Sequence, residues 1–418
     1  MKSIKERVLI NFPSLLIALL PLSLISGPFL SDLSALLIGI FFLINIVLKR
    51  EYHFLKNKFI IIFFIFSLYL LINSLIKYYD IHSIRSSLGY LRFGIFSLGI
   101  FYFLEKRKEI IQWLFISFII SYFLLIFDGY YQYFNKVSFF LEVETQDSGR
   151  ISSLFGSELI MGSYLSRLFP IFLGITFFLY KDKKRILILL SIIFILIEAL
   201  IFLSGERASF FFNILTAIYI IIMIKDFKKI RFFTFLISIV LVFILSNFDN
   251  KAKNRIINDT ISQMGLNSEK KHIFSAVHES HYLSAYKMFL DNKILGIGVR
   301  NYRNFCNEDK YKISERSCTT HPHNTYVQLL SETGLIGFIF VISVFIYFII
   351  ISLKHLFGVI KKNKYYFNDF EICMLSAILI TIWPFVPTGN FLNNWVSIVY
   401  YFPVGFLLWS LNKRDILT

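Results

Sequence analysis

Apolar residues in this chain come in runs of about 20, the length of helix that crosses a hydrocarbon core of roughly 30 Å. Twelve such runs lie near residues 9–27, 30–48, 59–76, 86–103, 110–127, 159–180, 186–203, 208–224, 232–247, 334–353, 370–387 and 391–410. None alternates as a membrane strand would. Backbone polar groups in lipid must be satisfied within their own element, so the pattern predicts helices. The expected fold class is an all-α polytopic membrane protein with about 12 transmembrane helices. Most breaks between runs are short, which predicts antiparallel neighbours. Two are longer, one from Asp128 to about Glu158 and one from Ser246 to about Thr333. The chain therefore divides into helices 1–9 (residues 1–247), a large loop (248–333) and helices 10–12 (334–418). Within the loop, Tyr282, Ala285, Tyr286 and Phe289 stand at helical spacing, and Gly296 and Gly298 mark a turn. No internal repeat of the kind built into many transporters is visible.

Charge adds an orientation. The 418 residues carry a net charge of +16, a value that suggests nucleic acid until its distribution is considered. More than half of the 43 Lys and Arg fall in segments 2–7, 49–58, 106–108, 181–185, 225–231, 354–364 and 413–414, and the short breaks on the other side are nearly bare of Lys. By the positive-inside rule these segments are cytoplasmic. Both termini are then expected in the cytoplasm, the large loop between helices 9 and 10 in the periplasm, and no nucleic-acid partner. Lys2, Lys5 and Arg7 ahead of an apolar run resemble the start of a signal peptide. That run is too long and another follows at once, so it reads as the first helix.

Polar chemistry concentrates where the large loop returns to the membrane, in Cys318-Thr-Thr-His321-Pro-His323-Asn324, followed by Glu332, Gly334 and Gly337. Pro322 fixes its own φ and restricts His321, holding two imidazoles at a bend. A histidine near its ordinary pKa accepts a proton at neutral pH; the alternative is a set of interfacial caps without chemistry. Cys306 and Cys318 share the loop, where an oxidising compartment permits a bond between them or leaves two free thiols. Cys373 lies within an apolar run and reads as packing.

The stretch His323-Asn324, nine residues, Gly334, two residues, Gly337 resembles the signature of the O-antigen ligase superfamily, which includes O-antigen polymerases and protein O-oligosaccharyltransferases. Ser204-Gly-Glu-Arg207, Leu295-Gly-Ile-Gly298-Val-Arg300 and the layout of twelve spans agree with it. The resemblance implies a GT-C-like helical glycosyltransferase of the bacterial inner membrane. Its partners would be an undecaprenyl-diphosphate-linked glycan as donor and lipid A–core, or another glycan, as acceptor. No cofactor and no metal are expected, since the diphosphate bond stores the driving force. By the same resemblance His323 matches the histidine assigned to activating the acceptor, while Arg207 and Arg300 match arginines assigned to the diphosphate.

The residues themselves suit that chemistry. A base within reach of the acceptor hydroxyl contributes typically ~10²–10⁴-fold, with Asn324 a possible orienting partner of His323. Arginine holds its charge near lipid and binds phosphate oxygens as a fork. Arg207 sits in a tight turn between two runs, with Arg300, Arg303 and Arg150 as further candidates and His321, Asn324 and Glu332 as substrate-binding neighbours. Arg85 is also on the outer side, and Arg92 falls inside a run, where it pairs with a charge or meets substrate. Glu198 and Glu206 are possible charge partners. Tyr282, Tyr286, Tyr302 and Tyr311 either stack on sugars or are ordinary interfacial tyrosines.

Val277-His278-Glu279-Ser280-His281, with His272 nearby, looks like a zinc motif. The metalloprotease pattern needs its histidines four apart and here they are three apart, so a solvated helix face is the expected reading. No phosphate-binding glycine motif and no Asp-x-Asp pair are present. Two other functions remain in play, a polymerase of the same superfamily and, in a different class, a transporter of the lipid-linked glycan.

Overall fold

The structure, a computed structural model, describes residues 4–77, 80–145, 149–180, 183–224, 226–263, 274–362 and 364–412. The apolar runs form helices in the expected order: Ile4–Ile25 (α1), Pro28–Lys49 (α2), Lys58–Ile76 (α3), Ile81–Lys106 (α4), Ile110–Asn135 (α5), Met161–Tyr180 (α6), Lys184–Ser204 (α7), Arg207–Met223 (α8) and Lys228–Phe248 (α9). After the long segment come Ala276–Asp291 (α10), Thr325–Lys362 (α11), Asp369–Thr381 (α12) and Asn394–Asn412 (α13). Among the described residues no β-strand is formed, and ten helices are long and apolar enough to cross a membrane. The chain is an all-helical, multi-pass membrane protein.

Local signals set several ends. Asn57 caps α3 through Phe59 N at 2.9 Å, and Asp80 caps α4 through His82 and Ser83. Asn368 and Glu371 form a reciprocal capping box on α12. In the interior α13 lies on α4, α12 on α6 and α1 on α5. Gly405 allows α13 to approach Ser97 and Ile100, and Gly174 allows α6 to approach Cys373 and Met374, the small-residue contacts by which helices pack in lipid. The apolar faces of α9, such as Phe232, Phe233, Ile237 and Phe243, are left exposed, as lipid-facing side chains are.

Two spans depart from expectation. The tenth, read at 334–353, is the distal part of α11, which begins nine residues earlier at Thr325 and kinks at Gly334. The eleventh, read at 370–387, is a helix of 13 residues, about 20 Å long. Pro384 and Pro387 explain its early end, because a residue before proline is pushed out of the helical region. The non-helical stretch that follows buries Val386, Thr388, Phe391 and Leu392 but exposes Phe385, and it pairs with the start of α11. Thr388 N donates to His323 O at 2.9 Å, Thr325 N to Thr388 Oγ1 at 3.0 Å and Phe391 N to Gln328 Oε1 at 3.0 Å.

The long segment lies across one end of the bundle. Arg255 Nε donates to Gly205 O in the α7–α8 turn, Lys251 packs on Gly149 between α5 and α6, and Lys77 at the end of α3 donates to Asn292. Its return strand crosses the kink of α11 backbone to backbone. Ile297 N donates to Ser331 O, Gly298 N to Glu332 O and Leu335 N to Lys293 O, at 2.8–2.9 Å. Gly334 (φ 64°, ψ −162°) and Gly296 (φ 67°) make this possible, since a Cβ on either would strike the other strand's backbone. Two carbonyls at the crossing are satisfied from α3, Thr333 O by the Tyr69 hydroxyl at 2.5 Å and Leu295 O by Asn73 Nδ2 at 2.6 Å.

Candidate functional site

Above this crossing four histidines converge. His321 and His323 come from the bend before α11, and His278 and His281 from one face of α10. The His323 ring centroid lies 4.2 Å from His321, 5.4 Å from His281 and 5.8 Å from His278. The α10 face expected to be solvated is turned inward instead: His281 is 3 % exposed and His278 half-buried. The reason is packing of α10 on α11, with Ala285 and Met288 in a small core beside Tyr302 and Cys306. Cys306 and Cys318 are joined by a disulfide in the same core. His272 lies outside the described residues, among which no group of His, Cys, Asp or Glu is arranged to hold a metal ion.

Three of the rings are tethered. His321 Nδ1 meets Thr320 Oγ1 at 2.9 Å and its Nε2 faces Thr388 O at 3.4 Å. His281 Nε2 lies 2.8 Å from Arg316 O, and His278 Nδ1 lies 2.8 Å from Ser275 Oγ. The His323 ring has no hydrogen-bond partner among the described residues. Its backbone is in the left-handed region (φ 56°), as is that of Arg300 (φ 59°), an uncommon conformation for residues with a Cβ that concentrates at functional sites.

Burial lowers the pKa of all four imidazoles, and repulsion from neighbouring rings adds to this at His278, His321 and His323. Burial, then the neighbouring His323, His281 and Arg207 charges, push His278 down to about 4. Burial, then His323, with Arg303 and His281 adding less, push His321 down to about 3. His323 is lowered by burial and by His281, and His281 by burial with a partial offset from the Arg316 carbonyl. A neutral imidazole is the form that accepts a proton.

Cations flank this cluster. Arg207, the first residue of α8, donates to Gln263 Oε1 at 2.8 Å and Thr260 Oγ1 at 3.3 Å. It shares its surroundings with Arg255, which in turn is beside Arg150, and burial together with these like charges lowers Arg150. Lys136, Arg150, Lys251 and Arg255 line one pocket with Tyr133 and Asp249. On the other flank Arg303 is exposed and close enough to His321 to disfavour its proton, and Arg300 adjoins Arg303 while its Nη1 donates to Ser86 Oγ of α4 at 2.6 Å. A band of positive charge thus runs from Arg150 through Arg255 and Arg207 past the histidines to Arg303 and Arg300.

Other candidates have structural work. Asn324, expected to orient His323, instead caps α11 through Tyr326 N and Val327 N and donates Nδ2 to Pro384 O at 2.8 Å. Glu332 is buried at the crossing, accepting from Tyr302 N and Gln328 Nε2. Glu206 accepts from Gly162 N at 2.6 Å, Ser163 N and Ser209 Oγ, holding the start of α6. Burial raises its pKa. Arg92 pairs with Asp32 at 2.6 Å, Glu198 bonds Asn213, and Arg85 is exposed. Tyr302 and Tyr311 are buried in the small core, whereas Tyr286 is exposed. Arg255 and Lys251, which line the basic pocket, lie in a polar stretch that reads from sequence as plain loop.

A family model described as O-antigen ligase matches residues 190–342. The match runs from the middle of α7 to just beyond the kink of α11 and takes in Arg207, Arg255, all four clustered histidines and both glycines of the crossing. No curated protein matches the chain.

Proposed function

Through residues 190–342 this chain belongs to the O-antigen ligase superfamily, whose members are glycosyltransferase-like enzymes, and we propose that it transfers a glycan from undecaprenyl diphosphate to lipid A–core at the periplasmic face of the inner membrane. The observation that carries this reading is an unbonded His323, its pKa lowered by burial, set within a band of guanidinium groups at one end of a membrane bundle. The basic breaks Lys49, Lys106 and Lys354 lie at the opposite end, which supports a periplasmic site.

In the reaction the acceptor oxygen forms a bond to the anomeric carbon as the bond from that carbon to the diphosphate oxygen breaks. His323 takes the proton of the attacking hydroxyl. Undecaprenyl diphosphate leaves with the bonding electrons, and the added negative charge develops beside fixed cations. Such preorganised charge stabilises the transition state without reorganisation. Arg207, Arg255 and Arg150 are the candidates for the diphosphate, with Arg303 and Arg300 on the glycan side. No cofactor enters this scheme.

Purified full-length protein reconstituted with undecaprenyl-diphosphate glycan, and offered lipid A–core and a second lipid-linked glycan, tests the proposal. Glycosylated lipid A–core supports it, whereas a lengthened undecaprenyl-linked chain makes the protein a polymerase instead. Movement of the lipid across the bilayer with no new glycosidic bond would overturn both. His323→Ala should lower transfer about 10²–10⁴-fold, and Arg207→Ala about 10²–10³-fold, with protein levels unchanged.

A further inference from the structure

We infer that His281 is the positioning residue of His323: its Nδ1 lone pair accepts the N–H of His323 and so fixes which ring nitrogen faces the acceptor hydroxyl. The inference rests on the glycosyltransferase reading for its role, but its geometry stands apart from that reading.

The case is one of elimination. A carbonyl oxygen only accepts, so the 2.8 Å contact between His281 Nε2 and Arg316 O requires the proton of His281 on Nε2. Nδ1 of the same ring is then a bare lone pair, and it is buried with no partner. A buried acceptor left unpaired costs about 1–3 kcal/mol, so a donor is expected to meet it. His321 has both its nitrogens engaged, with Thr320 and Thr388, while His278 uses Nδ1 toward Ser275 and its ring stands farther off, 6.0 Å from that of His281 and nearly perpendicular to it. His323 alone among the four has a ring free of partners, and it lies 5.4 Å from His281 between centroids, tilted by 32°.

Among the described residues, no carboxylate is seen to compete for His281 Nδ1. On its own helix stands His278, and Glu279 turns its carboxylate toward Phe274 N. From the bend before α11 come His321 and His323, and from the loop before them the Arg316 carbonyl. Arg207 and Arg303 act on the outer histidines. An acid would itself take the N–H; here a second imidazole, locked in one tautomer, does so. The arrangement works as the orienting member of a nucleophile–base–orienter set does. When His323 receives the acceptor's proton, its bond to His281 becomes charge-assisted and stronger.

The test uses full-length protein in detergent, labelled with ¹⁵N histidine, as wild type and as His281→Gln and His281→Leu. Glutamine retains a donor for Arg316 O and an acceptor for His323; leucine has neither. Tautomer-sensitive ¹⁵N shifts at His323 should show one neutral tautomer in wild type and His281→Gln, and a mixture in His281→Leu. In transfer assays His281→Leu should lose kcat with KM unchanged, by no more than His323→Ala loses. The His281→Leu/His323→Ala double variant should show no further loss, since the two residues act as a unit. His281→Gln also removes a titrating neighbour, so the acid limb of its kcat/KM profile should move to higher pH. That shift is one a merely structural residue would not produce. If His281→Leu melts like wild type yet keeps the His323 tautomer and kcat, the inference is wrong. Absence of transfer by wild type would instead sink the proposed function while the ¹⁵N result still judged His281.

Discussion

The crossing of two backbones at Gly334 invites a sharp perturbation, Gly334→Ala. At φ 64° and ψ −162° the residue occupies a region almost closed to side chains, at a strain of about 1–3 kcal/mol for alanine. Its new Cβ would also strike Ile294 O and the Gly296 amide. Because those atoms are backbone, the crossing must open, endangering the bonds from Ile297 N to Ser331 O, Gly298 N to Glu332 O and Leu335 N to Lys293 O. At roughly 1 kcal/mol each these, with the strain, bring the expected loss to about 4–6 kcal/mol. Gly156→Ala is the control: it too has positive φ (63°) but nothing within 4 Å of the added carbon, so only the strain of about 1–3 kcal/mol applies. Thermal unfolding of both variants in detergent reads the difference, and Gly334→Ala should melt clearly below Gly156→Ala. It should also impair transfer, since the displaced strand leads directly to Arg300 and Arg303. Equal melting of the two variants would refute the idea that backbone contact, rather than positive φ, makes glycine necessary at position 334.

The remaining expectations concern the loop and its charges. Burial and the neighbouring imidazole lower the His323 pKa, and the base works only when neutral. Transfer should therefore persist as pH falls through the ordinary histidine range and fail below it; a kcat/KM limb at or above pH ~6.5 would contradict the burial. Cys306 and Cys318 are 12 residues apart, and removing a bridge over a loop of that size costs on the order of 3 kcal/mol. Cys306→Ser/Cys318→Ser should lower the melting temperature, and hydrogen exchange should rise first around Tyr302 and the 313–318 turn.

The positive charge of the site has two effects that need each other. Placing Arg150, Arg255 and Arg207 together beside membrane is unfavourable when nothing negative is bound, and the like-charge lowering of Arg150 reflects this. Arg207, with burial, also disfavours a proton on His278. A diphosphate seated in the band would relieve the repulsion between the arginines and weaken that effect on His278.

What the sequence disclosed and what it hid follow from the range of the forces involved. Membrane helices are dictated by runs of neighbouring residues, so their order was legible, whereas the early end of α12, ahead of Pro384 and Pro387 inside the expected span, was not anticipated. Contacts between distant segments are another matter. Three-residue spacing puts His278 and His281 on one face of α10 but does not say what that face meets; only docking of α10 on α11 brings them to His323, some 40 residues on. Arg255 was hidden for the same reason, because a basic residue in a polar stretch reads as solvated until the stretch folds over Gly205. Asn324 shows the opposite error. An Asn ahead of Thr-Tyr-Val is a helix cap by its chemistry, and its place beside His323 in the signature lent it a role that its side chain, bonded to two amides and Pro384, does not perform. Adjacency in the chain therefore put His323 and Asn324 forward as a pair, whereas the Asn324 side chain is committed to the start of α11 and to Pro384 O.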